Sequence, residues 1–171
     1  MSSSIQRLQR IIATGSGGGF LPIAPGSWAS AMAAIVAWWL VELPWWLFVV
    51  IVVALFFIAV WSVGFADTYY AQRTGKAHDN KMIVIDEWVG QLTALIPVLY
   101  FGRSIMAIAI GLFLFRAFDT AKFGLAGYFD RQTNAWGVIA DDVVAGLHAA
   151  LMLTLVLWIA QHVDALGFVL R

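Results

Sequence analysis

No cysteine occurs anywhere in the 171 residues, and charge is scarce. The first absence excludes thiolate catalysis, disulfides and thiolate-bound metals. The second excludes an ordinary soluble domain, because only 12% of the residues are charged, against about 25% in soluble chains. Ten basic and ten acidic residues cancel, so no net field draws the chain to nucleic acid and no such partner is expected. The N-terminal MSSSIQRLQRIIATGSGGG has no long apolar core, and a cleaved signal peptide is not expected. The glycine-rich stretch that follows lacks the Lys-Ser/Thr ending of a P-loop, so nucleotide binding has no motif to rest on. Apolar surface is what the chain has in quantity. It is 62% hydrophobic, with nine Trp and twelve Phe, and its mean hydropathy is +0.86. That composition is the signature of an integral membrane protein.

The clearest span is 45–63, in which Ser62 is the only polar residue. Its length suits a hydrocarbon core about 30 Å thick. Before it, 27–41 is shorter and Ala-rich, with Ser27 as N-cap and a turn forced at Pro44. Further helices are expected over 83–101, over 105–115 continuing through Arg116 and Asp119, and over 143–160. The fold class is therefore all-α, a polytopic membrane helix bundle with about four to five embedded helices. It reads as a single domain, with an N-terminal segment and Gly-rich loop over 1–26, the bundle over 27–160 and a tail over 161–171.

Basic residues set the orientation. With a cytoplasmic N-terminus, Arg7, Arg10, Arg73, Lys76, Lys81, Lys122 and Arg131 lie on or near the cytoplasmic side, leaving Arg103 and Arg171 outside. Tyr69 and Tyr70 then mark the inner interface, and Trp38, Trp39, Trp45 and Trp46 the outer turn. This topology has a consequence for function. Asp86 and Glu87 begin one helix, Asp141 and Asp142 begin another, and Arg116, Asp119 and Lys122 end a third, all on the cytoplasmic face. An active site is expected where they converge.

Acids at a helix start are favoured by the macrodipole, so capping alone could account for either pair. Two doubled acids exceed what capping requires. Carboxylates gathered in a desolvated cleft repel one another unless a cation joins them, and hard oxygen ligands suit Mg²⁺. Gly90 and Gly146 each follow an acid by one helical turn and would permit close helix approach. In FRAFDTAK, Arg116, Asp119 and Lys122 share a drifting stripe. They are either a self-neutralising pair with a snorkelling Lys, or a grip for phosphate oxygens. The stretch TGSGGGFLPIAPGSW is either a phosphate cradle of backbone amides or an interfacial linker. His78 and Asp79 sit in a polar loop, where His78 is solvated or moves a proton. His148 is expected to hydrogen-bond a neighbouring helix, and Arg131 either reaches a phosphate or lies on the surface.

Four segments, GFLPIAPGSWAS, HDNKMIVIDEWVG, FRAFDTAK and FDRQTNAWGVIADDVVAG, together resemble the bacterial phosphatidylglycerophosphatase A family in order and spacing. The likeness runs from Gly15 to the last helix. One departure is the turn after Lys122, which here reads Phe123–Gly124–Leu125–Ala126 where the family has a Pro-rich turn. The resemblance implies a Mg²⁺-dependent phosphatase of the bacterial cytoplasmic (inner) membrane, its site facing the cytoplasm. Its substrate would be the lipid phosphatidylglycerophosphate, converted to phosphatidylglycerol. It also points to Asp86, Glu87, Asp119, Asp141 and Asp142 as acidic site residues; of these, Asp86, Glu87, Asp119 and Asp142 are expected to be catalytic, and Asp86, Glu87, Asp141 and Asp142 to bind metal. Arg116, Lys122, Arg131 and His78 become candidates for binding the substrate phosphate. Two rivals from other classes are a small ion-coupled transporter that uses intramembrane acids and a scaffold in which the charges merely hold helices together.

Overall fold

A computed structural model describes residues 3–74, 81–132 and 134–163, and among these every regular element is helical. Helix α1, Ser4–Ala13, opens with a reciprocal cap. Ser3 Oγ accepts from Gln6 N, and Gln6 Oε1 accepts from Ser3 N. Hydropathy missed this helix because it is short and polar; its signal was the Ser-x-x-Gln spacing. It packs against α3 (Trp45–Thr74) through Ile12 and Ala13, and Gln9 Nε2 donates to Trp61 O at 3.0 Å.

The glycine-rich turn that follows, including a 3-10 turn at Gly18–Phe20, is pressed against the segment leading into the next site helix. A Cβ on Gly19 would lie 1.9 Å from Met82 O, and Val84 N donates to Ala13 O at 2.9 Å. Helix α2, Pro25–Leu40, then starts with Pro in its first turn. Its N-cap is Ala24, with φ 47° in the left-handed region, and not the expected Ser27, which lies inside the helix. Proline pre-sets the first helical φ, so the helix begins before the first hydroxyl.

Helix α3 runs well past the expected end at 63, because Ala66 and Tyr70 continue the buried stripe. The expected helix 83–101 is broken. It forms α4, Ile85–Ala94, and a single turn α5, Val98–Phe101, with Pro97 as N-cap between them. Proline has no N–H with which to continue the ladder. Helix α6, Ile105–Ala121, is capped by Ser104, whose side chain accepts from Ala107 N, and ends at Lys122 with φ 47°. A short α7, Leu125–Asp130, precedes α8, Ala135–His162. Helix α8 starts earlier than the expected 143, because Asn134 supplies the cap by accepting from Gly137 N at 2.8 Å.

Helix α4 is the centre of the bundle, in contact with α2, α3, α6 and α8. It crosses α8 at Gly90 and Gly146, where added Cβ atoms would lie 2.7 Å from Asp142 O and 2.4 Å from Gly90 O respectively. This is the close approach that small residues permit between helices. Phe48, Leu92, Leu95 and Leu153 fill the core beyond the crossing. Among the described residues two helices, Trp45–Arg73 and Ala135–His162, are long and apolar enough to cross a membrane. At 1.5 Å per residue, the 16 residues of α2, 17 of α6 and 10 of α4 are shorter. Large apolar side chains nevertheless stand exposed on α2, α3, α6 and α8, among them Trp39, Trp45, Phe113 and Leu151. A surface of that kind is not stable against water alone.

Candidate active site

Helices α2 and α4 start, α6 ends, and α8 makes its second turn at the same end of the bundle. Gly26 in the first turn of α2 touches Glu87, and the acids on α4 lie beside those on α8. Asp86 and Glu87 occupy the first turn of α4, where exposed amides and the macrodipole favour negative charge. Asp86 Oδ1 accepts from Glu87 N at 3.1 Å. Asp141 and Asp142 do not begin their helix as expected. Asn134 has already capped it, so capping does not explain this second pair. Both are nearly inaccessible, at 7% and 5% exposure.

Asp86, Glu87 and Asp142 each offer a carboxylate oxygen, and the three atoms lie within 4.8 Å of one another. Asp119 stands against Asp142. Arg116 Nη1 lies 2.8 Å from Asp119 Oδ2 and 3.8 Å from Glu87 Oε1, and it donates to Ser30 Oγ at 3.4 Å. Lys122 Nζ donates to Asp141 Oδ2 at 3.0 Å and also pairs with Asp130. Burial opposes charge on Lys122, but these two carboxylates outweigh it and hold its pKa above the ordinary value. Asp86, Glu87, Asp119, Asp141 and Asp142 thus share the cleft with Arg116 and Lys122. Glu87 Oε2 and Asp142 Oδ2 are buried and accept no hydrogen bond. Ionised oxygens left so are costly unless a cation or donor meets them. A three-oxygen cluster with two unpartnered oxygens is therefore a donor set that fits a hard divalent ion.

The structure brings Asp86, Glu87, Arg116, Asp119, Lys122, Asp141 and Asp142 together. Arg131 is exposed at the C-cap of α7, next to Asp130. His78 and Asp79 lie outside the described residues. His148 does not make the expected hydrogen bond to a neighbouring helix. Its Nδ1 is buried without a partner, and its ring stacks on Phe118 with centroids 5.7 Å apart. Three contributors escaped sequence reasoning. Asp130 read as surface, yet it pairs with Lys122. Ser30 and Gly26 lie on an Ala-rich stripe that reads only as packing, and the stripe's small-residue spacing was the available signal.

Gly26 has a specific consequence. A Cβ there would sit 1.8 Å from Glu87 Oε1, so any larger residue must push that carboxylate out of the cluster. The displaced atom is the free end of a side chain, so folding tolerates the move. Gly26→Ala is therefore expected to keep the wild-type melting temperature within about 2 °C, since mild crowding costs well under 1 kcal/mol. Activity should fall roughly tenfold or more, as for misplaced groups in other sites. A melting scan beside a phosphate-release assay checks both, and full activity would show that Glu87 need not stand where it does.

Fold and site together define a helical protein with an acid-rich, metal-competent cleft at one end of its bundle. The chain belongs to the phosphatidylglycerophosphatase A family, whose profile matches residues 11–157. Among curated relatives, the phosphatidylglycerophosphatase A of Escherichia coli (strain K12) is 33% identical over 145 residues, 82% of this chain and 78% of the relative. That of Haemophilus influenzae is 33% identical over 148 residues, covering 83% and 84%. A Bacteroides thetaiotaomicron protein, named provisionally as a phosphatidylinositol-3-phosphatase, is 28% identical over 155 residues, covering 87% and 93%. No solved structure gives a significant match.

Proposed function

We propose that the protein is a Mg²⁺-dependent lipid phosphatase that hydrolyses phosphatidylglycerophosphate to phosphatidylglycerol and phosphate, at the cytoplasmic face of the bacterial inner membrane. The observation that carries this reading is the imbalance of the cleft. Asp86, Glu87, Asp119, Asp141 and Asp142 crowd Arg116 and Lys122, and both cations are already engaged by acids. Such a site repels a phosphate dianion until a divalent cation enters, and then attracts it. Asp86, Glu87 and Asp142 would hold the ion, with Asp141 close by. A bound Mg²⁺ supplies charge neutralisation and polarises phosphoryl oxygens.

The chain's own groups account for the rest. Arg116 offers a planar fork and Lys122 a point charge to the remaining phosphate oxygens. Asp119, beside Arg116 and Asp142, is placed to take a proton from attacking water or to attack phosphorus itself. Lipid tails need not leave the bilayer, because the headgroup enters at the end of the bundle. The exposed apolar faces of α2, α3, α6 and α8 support membrane embedding, and the basic residues support a cytoplasmic site.

Inverted and right-side-out membrane vesicles containing the protein test the whole reading. Phosphate is expected from phosphatidylglycerophosphate added to inverted vesicles, to vanish with a chelator and return with Mg²⁺. Right-side-out vesicles should be inactive. Phosphatidylinositol 3-phosphate, offered in parallel, should be the poorer substrate. Metal-independent release would overturn the cation role, a preference for the inositol lipid would reassign the substrate, and activity in right-side-out vesicles would reverse the orientation.

A further inference from the structure

Buried polar side chains in this bundle are satisfied with few exceptions. Thr14, Ser30, Ser62 and Thr93 each donate to a carbonyl one turn back in their own helix or loop, and Asp141 accepts from Lys122. Gln91 is different. It is wholly buried, at 0% exposure, and neither its Nε2 nor its Oε1 has a hydrogen-bond partner. An amide in that state costs about 1–3 kcal/mol for each group left unmade. A Leu or Met there would be cheaper, so folding alone gives no reason for a glutamine.

Its position supplies one. Gln91 stands one turn after Glu87 on α4, so the two share a face. Helical side chains lean toward the helix N-terminus, which on α4 is the end that carries Glu87. Glu87 Oε2 is itself buried and without a donor, while its Oε1 faces Arg116 and is pressed by Gly26. A spare donor and a spare acceptor thus lie one turn apart on α4.

We infer that Gln91 is a positioning residue for the cation site, its Nε2 donating across one water to Glu87 Oε2 and so fixing how the other oxygen of Glu87 is presented. This rests on the reading of the cluster as a divalent-cation site and adds to it a group outside the charged motifs. Second-layer hydrogen bonds to metal-binding carboxylates typically govern affinity by 10–100-fold.

The test compares wild type with Gln91→Met, which keeps the volume and removes both polar groups; Gln91→Leu serves if methionine packs poorly. Mg²⁺ is titrated in a thermal-shift assay and, separately, in phosphate release. In chelator the variant should melt at or above the wild-type temperature, because two unpaired buried groups are gone. The Mg²⁺ concentration giving half the thermal shift should rise about tenfold or more, and the concentration for half-maximal activity should rise with it, while activity at saturating Mg²⁺ falls less. A lower melting temperature or loss of fold would assign Gln91 a structural role and overturn the inference. So would Mg²⁺ curves that overlay those of wild type. If wild type itself shows neither a Mg²⁺ shift nor activity, the cation-site reading fails instead.

Discussion

Asp142→Asn is expected to abolish phosphate release while leaving the protein folded. Asp142 is 5% exposed, carries a buried oxygen without a donor, and completes the three-oxygen cluster with Asp86 and Glu87. In the proposed site Asp142 is a direct ligand, and its loss should cost more than the 10–100-fold typical of second-layer changes, hence at least about a hundredfold in activity. Stability should move the other way. Asp119, Glu87, Asp141 and Asp86 all bear on Asp142, and like charges packed this closely repel. Without Mg²⁺, asparagine removes one repelling charge and keeps the shape, so the variant should melt at or above wild type in chelator. It should also lose most of the Mg²⁺-induced thermal shift. Melting scans with and without Mg²⁺, beside the activity assay, read all three quantities. Near-normal activity would remove Asp142 from the site, and a large fall in melting temperature in chelator would make its role structural.

Gly146→Ala is expected to damage fold and activity together. The new methyl would meet Gly90 O at 2.4 Å and Thr93 Cβ at 3.0 Å. The first is backbone at the centre of α4 and cannot rotate away, so α4 and α8 must part. Overpacking of this kind costs about 1–3 kcal/mol, against up to about 1 kcal/mol gained in helix propensity. Net of that gain the cost is up to about 2 kcal/mol, which for a chain of this size is a fall of up to about 8 °C in melting temperature. Activity should fall with it, because Asp142 lies one turn before Gly146 and the separation opens the cluster. Gly64→Ala is the control. Its nearest neighbour would be Ala135 Cβ at 3.9 Å, ordinary contact, so the same substitution inside α3 should be neutral or stabilise by up to about 1 kcal/mol. Equal effects at the two glycines would show that the α4–α8 crossing is not tight.

Much of the site was legible because chemistry rare in an oily chain stands out. Asp86, Glu87, Asp119, Asp141 and Asp142 carry charge where burial is costly, and positive-inside bias alone gathered them at one end. The Gly90–Gly146 approach was also legible, since small residues one turn after acids mark a close crossing. Element ends were less so. Pro97 broke a helix that hydropathy drew as continuous, and Asn134 began α8 early enough to take Asp141 and Asp142 out of its first turn. That second shift mattered for function, because it removed capping as a reason for the pair. Helix α1 was missed because ten residues of largely polar sequence carry no span signal.

By itself, then, the sequence determined a cysteine-free, apolar, all-helical chain with its acids clustered by topology, because hydropathy and charge act residue by residue. Only the tertiary structure decided which groups touch. It paired Arg116 with Asp119 and Lys122 with Asp130 and Asp141, set Gly26 against Glu87, and left Gln91, Glu87 Oε2 and Asp142 Oδ2 without hydrogen-bond partners. Those outcomes depend on how α2, α4, α6 and α8 meet in space, and contact between residues distant in the chain is not a property of any one segment.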